Sequence, residues 1–297
     1  MGFQVRTDLA LEARESVSKP NEEIHGVRVE EENDKEREIF ITKVYIETKN
    51  GAKCMNKPMG TYITLEVPRM IMPDEDYHRE VSCKVAEQIR ELLPKEKEEL
   101  SVLVVGLGNR DVTADALGPS AVDHLFITRH IVKEFGKAAY GKEKIHMVSS
   151  VIPGVMARTG MESFEIVKGV CEQICPDVVI AIDALAARST KRLNRTIQIT
   201  DTGVQPGSGV GNHRHALNAE SLGIPVLGIG IPTVVDAGTI VNDMLAGQKE
   251  ELYRYDDTSE KKMRELQNMY VTTKDIDDVI HKLSYTLSEA INIALEI

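Results

Sequence analysis

The run Val102-Leu-Val-Val-Gly106 constrains the fold more than any other stretch of this chain. A short, unbroken, β-branched apolar run closed by glycine has no polar side to offer water, so it reads as a strand buried on both faces of a largely parallel sheet. A loop follows, and in open α/β sheets reacting groups gather just beyond the carboxyl ends of such strands. That directs attention to Asn109 through Pro119, which carries two acids, Asp111 and Asp115. Only Asp115 has glycine and proline close behind it. Pro176 to Arg188 repeats the pattern of apolar strand followed by an acid, and its acid is Asp183. Two carboxylates delivered by two parallel strand ends can converge in one crevice, which makes Asp115 and Asp183 the candidate catalytic pair.

The rest of the chain fits around that strand. Gly26 to Glu30, Glu38 to Glu47 and Gly60 to Val67 alternate with β-branched residues, and Lys49-Asn-Gly51 reads as a turn, so an antiparallel annex is expected at the N-terminal end. Asp74 to Leu93 has Tyr77, Val81, Val85, Ile89 and Leu92 on one helical face. Strands and helices then alternate to a final helix from Asp275. The expected fold is α/β, a mainly parallel sheet flanked by helices with a small N-terminal antiparallel annex. One compact domain is expected, with the polar N-terminal end partly mobile.

Composition narrows the function. Acids outnumber Lys and Arg 47 to 36, giving a formal charge of -11, which argues against a direct nucleic-acid ligand because phosphate binding needs a basic face. Gly106-Leu-Gly108 opens like a dinucleotide loop, yet Asp111 stands where the third glycine belongs and would repel a pyrophosphate. Neither there nor in Gly207-Ser-Gly-Val-Gly211 does a Gly-Lys-Ser/Thr ending appear. Ser208 lacks the outer glycines of a nucleophile elbow, and no cysteine sits at a strand-end turn. The four cysteines show no framework spacing, and with no apolar signal region or bilayer-length run the expectation is a soluble cytoplasmic protein with reduced thiols.

Facing carboxylates repel, so one of the pair should hold its proton while the other stays charged. That division suits peptide hydrolysis: the carboxylate activates water and the neutral acid polarises the carbonyl or protonates the amine. No cofactor is called for, although His213-Arg-His215 could bring a histidine to the two aspartates and keeps a divalent metal open. Asn109 and His213 are candidate residues of active-site loops.

Several stretches resemble the germination protease family of spore-forming Firmicutes, which degrades small acid-soluble spore proteins as spores germinate. They are Val5-Arg-Thr-Asp-Leu-Ala10, Val105-Gly-Leu-Gly-Asn109 with Val112-Thr-Ala-Asp-Ala-Leu-Gly-Pro119, Ile182 to Arg188, Gly207 to His213, Gly223-Ile-Pro225 and Ile231 to Ala237. The resemblance implies an atypical aspartic endopeptidase with Asp115 and Asp183 as its essential acids. It also implies a self-processing zymogen, with residues 1–8 the candidate propeptide and 9–297 a single peptidase domain, a homotetramer, and a place in the forespore or spore core. The family's fold is similar to that of the hydrogenase maturation proteases, in which the corresponding two acids hold a metal. The alternatives are therefore a metal-dependent peptidase of that type and a noncatalytic nucleotide- or peptide-binding module. Thr7-Asp-Leu-Ala-Leu-Glu12 resembles the family's substrate consensus of Thr, Glu, an apolar residue, Ala, a variable residue and Glu, cut after the first acid. Self-cleavage is thus expected between Asp8 and Leu9, with the hexapeptide reaching the cleft as an extended strand. Read without that resemblance, the same residues would start a helix with Thr7 or Asp8 as its cap. Only Met1 to Thr7 precede the site, a shorter leader than the family implies.

Overall fold

The computed structural model describes residues 7–17, 24–207, 215–246, 266 and 269–297. In chain order the elements are α1 (Ala10–Val17), β1 (Val27–Asp34), β2 (Ile39–Ile46), α2 (Lys49–Met55), β3 (Gly60–Glu66), α3 (Glu75–Leu92), β4 (Ser101–Gly106), α4 (Leu117–Val122), α5 (Arg129–Phe135) and β5 (Met147–Val151). After them come α6 (Met156–Thr159), α7 (Ser163–Ile174), β6 (Val178–Ala187), β7 (Thr196–Thr200), α8 (Ala219–Leu222), β8 (Val226–Asp236), α9 (Ala237–Ala246), β9 (Tyr270–Val271) and α10 (Ile276–Ala294).

β4 is buried along its whole length, as its sequence demands. Val102 and Val104 join Ile180 and Ile182 of β6 under α3, α4 and α10, while Leu103 and Val105 join Val179 and Ala181 under α7 on the other face. The period of two within the strand therefore divides one apolar run between two cores. In α3 the residues Tyr77, Val81, Val85 and Ile89 are buried, and α10 answers with Val279, Leu283, Leu287 and Ile291. Among the described residues no helix is long and apolar enough to cross a membrane.

The sheet is mixed, which corrects the expectation of a mainly parallel one. Its nine strands run in the order β1-β2-β3-β7-β8-β6-β4-β5, with β9 beside β8. Only β4–β5, β4–β6 and β6–β8 are parallel. The reason lies between β6 and β7, where residues 188–195 are too few for a crossover helix, so the chain must come back antiparallel to β8. The first three strands pair antiparallel, as expected of the N-terminal annex, and they are continuous with the main sheet. β3 pairs with β7 from Tyr62↔Thr200 to Glu66↔Thr196 and makes them part of the same sheet.

The expected turn at Lys49-Asn-Gly51 is the start of helix α2. Thr48 supplies the cap, its hydroxyl accepting from Gly51 N at 3.1 Å, and Asn56 ends the helix in the left-handed region at φ 49°. Capping by the preceding threonine outweighs the turn preference of Asn-Gly. Lys57 comes directly after that left-handed residue.

Candidate active site

Beyond Gly106 the chain folds back over the strand ends. Leu107 N donates to Ile182 O at 2.9 Å, and Asn109 N donates to Asp115 O at 3.0 Å. Gly108 permits this return: it has φ 119°, and a Cβ there would lie 2.0 Å from Asp115 O. A 3-10 turn, Thr113–Asp115, closes the loop. Thr233 of β8, wholly buried, donates its hydroxyl to Ala114 O at 2.6 Å and ties that turn to the sheet. Asp111 points elsewhere, forming an ion pair with the exposed Arg158. Asn109 shapes the loop, its side-chain oxygen accepting from Asp111 N at 3.1 Å.

Asp183 lies inside β6 and not past its end, because Ala184 to Ala187 continue the strand by pairing with β8. β4 is the shorter neighbour: its Gly106 pairs with Ile182, so Asp183 is the first residue of β6 to project beyond it. Asp183 is buried, and its Oδ1 accepts from Ala184 N at 3.0 Å. Asp115 and Asp183 line one cleft of about 760 Å³, together with Lys57, Gln198, Thr7 and Asp8.

The sheet register explains how Gln198 enters this group. Gly230 of β8 is the partner of Asp183 on one side and of Gln198 on the other. The three residues share a row and a face, with no side chain on the middle one. A Cβ at Gly230 would lie 2.6 Å from Cγ of Leu185, so glycine also lets Leu185 pack closely over β8.

Residues 7–13 are firmly docked, contrary to the mobile end expected from their polarity. Asp8 N donates to Ala186 O at 3.0 Å, and Ala186 N donates back to Asp8 Oδ2 at 2.9 Å. Leu9 and Ala10 have no exposed surface, Leu9 packing with Ala187, Leu193 and Val235. Asp8 O accepts from Lys57 Nζ at 2.7 Å and from Gln198 Nε2 at 3.1 Å, while Gln198 Oε1 accepts from Ala10 N at 2.7 Å. Glu12 is buried with its carboxylate on Arg188 N at 2.7 Å and Ser189 N at 3.0 Å. The hexapeptide is not extended throughout, since α1 begins at Ala10. Burial of apolar Leu9, Ala10 and Leu11 together with these polar contacts offsets the cost of ordering a terminal segment.

Sequence reasoning missed Lys57, Gln198 and Thr233. Gln198 carried a signal: it is a polar residue at the centre of Thr196-Ile-Gln-Ile-Thr200, all of it buried. His213 lies outside the described residues. His215 turns to Glu162, with Nδ1 2.7 Å from its Oε2, and stacks on Phe164. Among the described residues no three His, Cys, Asp or Glu side chains are grouped so as to hold a metal ion.

One carboxylate on a turn and one on a strand thus line a cleft that also holds a peptide segment by its backbone and side chains. The sequence profile of the germination proteases matches residues 5–266, and the chain belongs to that family. It is 42% identical to the germination protease of Clostridium perfringens, over 99% of this chain and 96% of the relative. With that of Caldanaerobacter subterraneus it shares 44% identity over 98% and 94%. With that of Bacillus subtilis it shares 47% over 81% and 66%. Among solved structures, a [NiFe] hydrogenase maturation protease from Thermococcus kodakarensis aligns at 15% identity with a TM-score of 0.36, over 71% of this chain and 99% of that one.

Proposed function

We propose that this protease is an endopeptidase that begins the degradation of small acid-soluble spore proteins during germination, and that it is made as a zymogen that cuts itself between Asp8 and Leu9. The observation that carries this reading is the presence of Thr7 and Asp8 in the cleft lined by Asp115 and Asp183. In this reading one aspartate takes a proton from water as it adds to the Asp8 carbonyl, and the other, protonated, supplies the proton that lets Leu9 leave as an amine. No metal takes part. Residues 1–8 are the propeptide, 9–297 the peptidase domain, the assembly is a homotetramer, and the setting is the spore core.

The test is incubation of the purified full-length chain followed by N-terminal sequencing and cleavage of an added spore-protein peptide. A product beginning Leu9-Ala-Leu-Glu, absent in Asp8→Ala, is expected. A different first residue, or maturation undiminished in Asp8→Ala, refutes the cleavage site. Failure to cut any spore-protein peptide after maturation refutes the substrate. Light scattering of the same sample tests the tetramer.

A further inference from the structure

The carbonyl of Asp8 carries more than a docked segment requires. A backbone oxygen needs one donor to be satisfied, yet this one takes two, from Lys57 Nζ and Gln198 Nε2, which come from separate parts of the chain. One of the two is a cation. Lysine is costly to hold in a half-buried cleft, and a neutral donor would have served for docking alone. Its position is also fixed, because Lys57 follows the left-handed Asn56 and its own amide donates to Ala52 O at 3.1 Å. Gln198 is fixed in turn by its place in β7 and by Ala10 N on its Oε1.

We propose that Lys57 and Gln198 are the oxyanion-binding pair of this protease, polarising the carbonyl of the bond to be cut and holding the negative charge that forms on its oxygen. This rests on the self-cleavage reading above. As water adds to the Asp8 carbon, the carbonyl π pair moves to oxygen, where the Lys57 ammonium and the Gln198 amide receive it. The water gives one proton to a carboxylate. The C–N bond then breaks, Leu9 nitrogen takes a proton, and the oxygen's pair returns to form the new carboxyl group. One water is consumed and Lys57 keeps its proton throughout. Donors already in place at the point of growing charge act without reorganisation.

Burial pushes the Lys57 pKa below its ordinary value of 10.5, while the carboxylates of Asp8 and Glu12 oppose that fall. Tyr62, Asp115, Asp183 and Tyr270 are the other titratable groups lining the cleft with it. The rate should therefore fall along a basic limb that begins below pH 10.5, and Lys57→Arg should move that limb upward.

The experiment follows self-cleavage of the full chain as a first-order rate across pH, with hydrogen exchange at the Leu9 and Ala10 amides in an Asp183→Asn background to show whether the segment stays docked. Lys57→Met should cut at least ~100-fold more slowly with both amides still protected. Gln198→Glu keeps the acceptor for Ala10 N but loses the donor to Asp8 O, and should cut at least ~10-fold more slowly. Lys57→Arg should recover part of the rate and guards against a folding defect in Lys57→Met. Wild-type rates in Lys57→Met overturn the assignment while leaving self-cleavage intact. Loss of amide protection matching the loss of rate overturns it in favour of a docking role. A wild-type chain that never cuts itself overturns both this assignment and the reading it rests on.

Discussion

Thr233 donates its hydroxyl to the carbonyl of Ala114 at 2.6 Å, so the turn that carries Asp115 is fastened to the strand beside the one that carries Asp183. The donor end of this contact is held twice over: Thr233 is wholly buried in β8, and Thr272 donates to its backbone oxygen at 2.7 Å. Thr233→Val keeps the shape and removes the hydroxyl, leaving Ala114 O without that donor. A loss of about 1 kcal/mol in stability is expected, with a larger loss in turnover because a displaced carboxylate is poorly aimed. Thermal melts and peptide cleavage measured together would show it. Equal and small effects on both would make Thr233 an ordinary core residue.

Asp115→Asn and Asp183→Asn test the acids directly. Each keeps the side-chain shape and removes the proton-transfer function, so each should leave a folded protein with activity lower by at least ~100-fold. Circular dichroism and the cleavage assay are read on the same preparation. Full activity in Asp183→Asn would end the paired-carboxylate mechanism.

Dialysis against a chelator separates carboxylate-activated water from metal-activated water. The rate should be unchanged, since a carboxylate base is not removed by chelation, whereas a metal-bound hydroxide would go with its ion. Activity lost on chelation and restored by one divalent ion would replace the two-aspartate mechanism with a metal-dependent one.

The candidate site was partly legible because strand pattern points to its two acids, with the glycine and proline behind Asp115 setting it apart from Asp111. An apolar run closed by glycine or by an acid marks where β4 ends and where β6 first projects past it, and that boundary depends only on local sequence. Lys57 and Gln198 were not legible, because their meaning depends on residues 49 and 190 positions away from Asp8 in the chain returning to the same cleft. Reading Lys49-Asn-Gly51 as a turn hid Lys57 further, since it removed the helix that aims it. The mixed sheet was within reach: eight residues between β6 and β7 exclude a crossover. What concealed it was the repeated alternation of strand and helix, which is the same whether a strand enters the sheet parallel or antiparallel.

His146 makes stability depend on mildly acidic pH. Its Nδ1 accepts from Leu100 N at 2.9 Å, a bond only the neutral ring can make, and burial lowers its pKa from the ordinary 6.5, with Glu296 and Glu99 opposing. The folded state thus binds fewer protons than the unfolded state in the window below 6.5, so stability is full above that pH and declines as pH falls toward the lowered value. Thermal midpoints should drop through this window, and the slope there should be shallower in His146→Asn. An unchanged slope would remove His146 as its source.

Glu12 fixes how deeply the N-terminal segment sits, and its partners say which contacts matter. The carboxylate takes amide hydrogens from Arg188 and Ser189, at 2.7 and 3.0 Å, and a hydroxyl from Thr7, while Arg192 Nη1 stands farther off at 3.5 Å. Arg192 is engaged elsewhere: burial works against its charge, but the carboxylates of Glu15 and Glu66 hold its pKa above the ordinary range. Glu12→Gln would turn an NH2 group toward one of two backbone amides that can only donate, so the loss is a hydrogen bond and a donor-to-donor clash as well as a charge. Docking of the segment should weaken by about 2 kcal/mol, seen as faster exchange at Leu9 and Ala10 in an Asp183→Asn background and as slower self-cleavage with Asp183 restored. Arg192→Met should release the segment much less, because the two amides remain in place. If Arg192→Met frees the segment as fully as Glu12→Gln does, the ion pair and not the backbone amides reads the acid at this position.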